Sequence, residues 1–94
     1  MPALHAPPGW SVSPDGKRLT LRLETEDFLA ALDLFRAVGE VAEELEHHPD
    51  LHLEQWNQVR IETYSHDVGK LTERDERLAE RISDLLGAQG LRPK

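Results

Sequence analysis

From Arg18 to Glu24, Leu19, Leu21 and Leu23 alternate with Arg18, Thr20, Arg22 and Glu24. A period of two places the leucines on one face of a strand and the polar side chains on the other. Such a strand needs a sheet with one face against a core and one face in water. Just before it, Pro14-Asp15-Gly16 has hairpin chemistry: proline fixes one φ and glycine accepts a positive one. Trp10 to Ser13 then reads as the short extended partner on the far side of that turn.

The same logic organises the rest of the chain. Thr25 is placed to cap a helix whose first turn carries Glu26 and Asp27. Phe28, Leu32, Phe35, Val38 or Gly39, Ala42 and Leu45 recur at three and four, which predicts an apolar stripe about five turns long. Pro49 is expected to stop this helix, because the residue before a proline is pushed out of helical φ/ψ. Leu51 to Leu53 forms a short strand candidate. A stronger one runs from about Asn57 to Ser65, with Val59, Ile61 and Thr63 on one face and Arg60, Glu62 and Tyr64 on the other. After Gly69, Thr72-Glu73-Arg74-Asp75 has the capping-box spacing that opens a helix. Leu78, Ala79, Ile82, Leu85 and Leu86 form its inner side, and Gly87 and Gly90 close it. The order is ββαββα, which predicts an α+β fold: a four-stranded antiparallel sheet with helices packed on one face. Residues 1–8 read as a flexible N-terminal arm, 9–90 as a single domain and 91–94 as a C-terminal tail.

Composition narrows the function. At 94 residues the chain is one small domain, of a size that gains from self-association. It has no cysteine, so disulfides, thiolate nucleophiles and cysteine-based zinc knuckles are excluded. A formal charge of -7 and a pI near 5.1 argue against nucleic acid as a partner, since phosphate binding needs clustered Lys and Arg. No segment approaches a membrane span, and the N-terminal residues lack a secretion-signal layout. The expected setting is cytoplasmic, with no membrane partner.

The chemistry is expected around Glu43-Glu44-Leu45-Glu46-His47-His48-Pro49, together with His66. Imidazole is the side chain whose ordinary pKa lies nearest neutrality, so a histidine cluster can hold a proton donor and an acceptor at one pH. Glu43 stands four residues before His47, within reach on one helix face, where a carboxylate orients an imidazole and favours its protonated form. His66 would reach the same place from the end of the long strand. Blander roles compete with these. A His-His-Pro sequence also makes an ordinary polar helix end, Trp56 also serves as packing, and Asp75 is explained by capping the Thr72 amide. A metal set of His47, His48, His52, His66 and Glu43 is the sharper rival, but Pro49 breaks the i,i+4 geometry and adjacent histidines diverge.

The spacing Glu43-x3-His47-His48-Pro49-x6-Trp56-x9-His66-x8-Asp75 resembles the signature of the pterin-4a-carbinolamine dehydratases. Gly9-Trp10, the Phe28 to Glu46 helix, Thr72-Glu73-Arg74-Asp75 and Leu78-Ala79 fall where that family has similar residues. The resemblance implies dehydration of 4a-hydroxytetrahydropterin to quinonoid dihydropterin, with no metal or other cofactor. It assigns catalysis to His47, His48, His66 and Glu43, and pterin binding to Glu46, His47, His48, Tyr64, Ser65, His66 and Asp67. It further implies a homodimer or homotetramer. Leu51 departs from the aromatic common at its position, and Tyr64-Ser65 replaces a smaller pair. A non-catalytic role is the alternative, since some relatives act as dimerisation or assembly partners of other proteins.

Overall fold

The computed structural model describes residues 6–94. Four strands, β1 (Trp10–Val12), β2 (Leu19–Glu24), β3 (Asp50–Glu54) and β4 (Gln58–Thr63), and two helices, α1 (Phe28–Leu45) and α2 (Glu73–Ala88), follow the expected ββαββα order. The sheet order is β1-β2-β4-β3 and every pairing is antiparallel. Leu21 stands opposite Ile61, and Ile61 opposite Leu51. Leu19, Leu21, Leu23, Val59, Ile61 and Thr63 are buried on the inner face, as the alternation requires. Their polar neighbours Arg22, Glu24, Arg60 and Glu62 make the open face. Burying one leucine of this row contributes roughly 1.5–3 kcal/mol.

The helices close the core with Ala31, Leu34 and Val38 from α1 and Leu78, Ala79, Ile82 and Leu86 from α2. The expected face of α2 is thus correct, although Gly87 lies inside the helix rather than ending it. The face of α1 needs correction. Ala31, Leu34, Val38 and Ala42 point inward, while Phe28 and Leu32 are exposed. This helix carries two apolar stripes, and periodicity alone does not say which one meets the sheet. Its N-cap also differs: Asp27, not Thr25, accepts from the Ala30 amide at 2.7 Å. Thr25 instead donates to the Asp27 carbonyl.

Both ends of the described chain pack on the body. Ala6 leans on the core, the Pro7 carbonyl accepts from the Trp10 amide, and Ser83 holds the Trp10 indole N–H at 3.0 Å. The part of the expected arm from residue 6 to 8 is therefore anchored, and residues 1–5 lie outside the described residues. At the other end Leu91 packs on the core, Pro93 bridges Leu23, and the Lys94 amide donates to the Arg22 carbonyl. This tail occupies the side of β2 that the short β1 leaves open. Gly9 permits the arrangement, because its φ is +90° and an added Cβ would sit 2.4 Å from Pro93 Cγ. Among the described residues, no helix is long and apolar enough to cross a membrane.

Candidate active site

The site is built where α1 ends. The helix stops at Leu45 and Glu46 adopts a left-handed φ of 53°. The His47 amide then bonds back to the Ala42 carbonyl and the Glu46 amide to the Glu43 carbonyl, the paired bonds of a Schellman turn. The chain therefore reverses three residues before Pro49, the expected stop, and His47 swings beneath the helix toward the core. Glu43 and His47 do not meet. Glu43 pairs instead with His48, in an exposed contact on the outer side.

His47 is almost fully buried and its Nε2 lies 2.7 Å from Asp75 Oδ1. Asp75 is inaccessible to solvent. The same Oδ1 accepts from the Thr63 hydroxyl at 2.5 Å, while Oδ2 accepts from Ser65 Oγ at 2.6 Å and the Thr72 amide at 3.0 Å. Every donor points at the carboxylate, so Asp75 is ionised and its acceptor sites are filled. Burial is the largest single influence and pushes its carboxyl up. The hydrogen bonds from His47, Ser65, Thr63 and the Thr72 amide outweigh it and hold the group below its ordinary value. Ser65 has spent its only proton on Asp75, so the 2.8 Å contact between Ser65 and Thr72 is a bond donated by the Thr72 hydroxyl.

The capping role expected of Asp75 is present, but it is half of what the residue does. The other oxygen anchors His47, and sequence reasoning missed this. A signal existed: Thr63 continues the inner apolar face of β4 and Ser65 follows at the same period, and buried hydroxyls need a polar partner. With Nε2 donating to Asp75, Nδ1 is the His47 nitrogen left for a substrate. It accepts a proton when the ring is neutral and donates one when the ring is charged.

The sheet register places the remaining residues. Asp50 pairs with Glu62, so the chain entering β3 and the chain leaving β4 lie at the same end of the sheet. His47 and His48 come from the first, and Tyr64, Ser65 and His66 from the second. Through Asp75, His47 and Ser65 share one carboxylate, which brings His66 to within one residue of that network. His48 and His66 are exposed beside the buried pair. The His66 ring stands edge-on to Tyr64 with centroids 4.5 Å apart, and Arg18 lies over the Tyr64 ring. Glu46 is exposed at the turn. Asp67 is engaged by Arg74 at 2.6 Å, and that guanidinium holds the Asp67 carboxyl below its usual range. His52 faces the open side of the sheet toward Glu62, 3.4 Å away, so the rival metal set is split among three carboxylates. No group of three such side chains among the described residues has the arrangement to hold a metal ion. Trp56 lies at the far tip of the β3–β4 hairpin and is 58% exposed, so it is not core packing.

Comparison with known proteins identifies the family of the chain. A family profile described as Pterin 4 alpha carbinolamine dehydratase matches residues 2–85. An Arabidopsis thaliana protein named pterin-4-alpha-carbinolamine dehydratase 2, mitochondrial, is 42% identical over 92% of this chain, which spans 47% of that relative's length. Provisionally named dehydratases of Saccharolobus islandicus and Mycolicibacterium smegmatis are 35% and 37% identical over 82% and 89% of the chain, covering 77% and 86% of their own lengths. Two solved structures share the fold. One is a transcriptional coactivator/pterin dehydratase from Brucella melitensis (TM-score 0.76, 24% identity, 83% of this chain and 82% of that one). The other is a pterin dehydratase-like RuBisCO assembly factor of the alpha-carboxysome (TM-score 0.70, 19% identity, 90% and 98%). By profile and by sequence, the chain belongs to the pterin-4-alpha-carbinolamine dehydratase family.

Proposed function

We propose that this protein dehydrates 4a-hydroxytetrahydropterin, recycling the pterin used by aromatic amino acid hydroxylases, and does so by histidine acid–base catalysis. The observation that carries the reading is the buried His47–Asp75 pair, flanked along the chain by His48 and, through Ser65, by His66. Loss of water breaks the C4a–O bond and the N5–H bond and forms the C4a–N5 double bond of the quinonoid product. One group must protonate the departing hydroxyl while another takes the N5 proton, and no oxidant or reductant enters. His47 and His66 exchange these protons, and Asp75 fixes the ring so that Nδ1 of His47 faces the substrate. His48, held by Glu43, orients the pterin, with Glu46, Tyr64, Ser65 and Asp67 around it. General acid–base help of this kind is worth about 10²–10⁴-fold. The working form is a homodimer or a pair of dimers.

The test is dehydration of freshly made 4a-hydroxytetrahydropterin, followed by ultraviolet absorbance. Wild type should exceed a His47→Ala/His66→Ala variant by at least about 100-fold. Equal rates would remove the enzyme reading and favour a non-catalytic partner-binding role.

A further inference from the structure

Two of the three clustered imidazoles are held by a carboxylate, His47 by Asp75 and His48 by Glu43. Among the described residues, no carboxylate or hydroxyl holds His66; its ring meets Tyr64 instead, with centroids 4.5 Å apart and planes at 89°. Aromatic pairs favour this edge-to-face arrangement, because the electropositive rim of one ring meets the electron-rich face of the other. Tyr64 also stands where the family-like pattern has a smaller residue, so the contact belongs to this chain rather than to the shared spacing.

Tyr64 is itself held. Leu19 pairs with Thr63 across β2 and β4, and continuing that register by one residue sets Arg18 opposite Tyr64. The Arg18 guanidinium lies 5.1 Å over the Tyr64 ring, and its Nη1 reaches Asp50 at 3.4 Å. Asp50 comes two residues after His48, and Tyr64 two before His66, so one side chain ties together the segments that carry both. The Arg18 backbone is fixed in turn: its carbonyl accepts from the Ser13 amide at 2.9 Å and its amide donates to Ser13 Oγ at 3.0 Å. Beyond His66 the chain turns back, with the Val68 and Gly69 amides donating to the Ser65 carbonyl. A Cβ on Gly69 would lie 3.8 Å from the Tyr64 hydroxyl. We propose that Tyr64 positions the His66 ring and that Arg18, from outside the histidine-bearing spacing, clamps Tyr64 in place. A proton carrier must be kept within about 0.5 Å of its working position. With the backbone after Ser65 closed on itself, the side-chain torsions of His66 are what remain to be fixed. That His66 carries a proton rests on the dehydratase reading; the placement of its ring does not.

The placement is read in the ligand-free protein from the NMR signals of the His66 ring C–H groups, assigned by their loss in His66→Ala. The Tyr64 ring current should displace them from free-imidazole positions. They should return to those positions in Tyr64→Ser and stay displaced in Tyr64→Phe, which keeps a ring. In the dehydration assay Tyr64→Ser should lower kcat about tenfold, the upper scale of one aromatic pair, with a smaller change in KM. Tyr64→Phe should recover most of that loss. Arg18→Gln should lower kcat about two- to fivefold, the scale of an exposed cation–π contact. In a Tyr64→Ser background the same change should have no further effect, since no ring is left to clamp. Ring signals that follow Tyr64 in a protein that dehydrates nothing would uphold the placement and sink only the dehydratase reading. His66 signals indifferent to Tyr64→Ser, an active enzyme whose kcat ignores that change, or an Arg18→Gln loss undiminished without Tyr64 would overturn the proposal.

Discussion

The molecule holds two imidazole–carboxylate pairs on adjacent histidines, and they differ in almost everything else. His47–Asp75 is buried and joined by three further donors, and it spans 28 residues of sequence. His48–Glu43 lies in solvent, with both side chains more than half exposed, and spans five. An exposed pair is screened by water and contributes about 0–1 kcal/mol. A buried one cannot lose a partner without stranding the other, which costs several kcal/mol. The difference fits the proposed division of labour: a ring whose geometry the fold enforces stands beside one held only by an exposed, solvent-screened partner.

The largest effect should come from Asp75→Ala, which leaves His47, Thr63, Ser65 and the Thr72 amide without their acceptor. A loss of about 3–5 kcal/mol in urea unfolding is expected, and a loss below 1 kcal/mol would break the contrast. The acid limb of stability should follow the same residue. The folded carboxyl lies below its unfolded value, so its contribution is complete above the ordinary aspartate pKa of about 4 and is lost as pH falls through the folded value. Asp75→Asn should flatten that part of the stability–pH curve, whereas an unchanged slope would place the acid sensitivity elsewhere. Next in size, Glu46→Gly relieves the left-handed turn and should stabilise the fold by about 1 kcal/mol, seen as a raised Tm. Smallest of all, Glu43→Gln should shift stability by no more than about 1 kcal/mol and the shift should fade in high salt. A large, salt-insensitive loss would show that the outer pair is structural too.

Much of this fold was legible because its signals are local. The alternation in β2 and β4, the turn at Pro14-Asp15-Gly16 and the Thr72–Asp75 capping box each depend on a few neighbouring residues. The His47-His48-Pro49 sequence likewise marked the end of α1, where the buried His47 stands. What escaped was decided over longer range. Glu43 was expected beside His47 because a regular helix puts them together, but the left-handed Glu46 turns the chain first. Asp75 looked complete as a cap because its second partner arrives from another helix end. In α1, Phe28 and Leu32 were as good a core stripe as Ala31 and Leu34 until the sheet was in place. Leu91 and Pro93 found their contacts only through the open side of β2, which no local pattern announces.

The buried pair as proton carrier and the exposed pair as guide are separated most directly by the dehydration kinetics of His47→Ala and His48→Ala beside wild type. His47→Ala should lower kcat by about 10²-fold or more, while His48→Ala should act mainly by raising KM. A His48→Ala enzyme that loses kcat while His47→Ala keeps it would contradict the assignment.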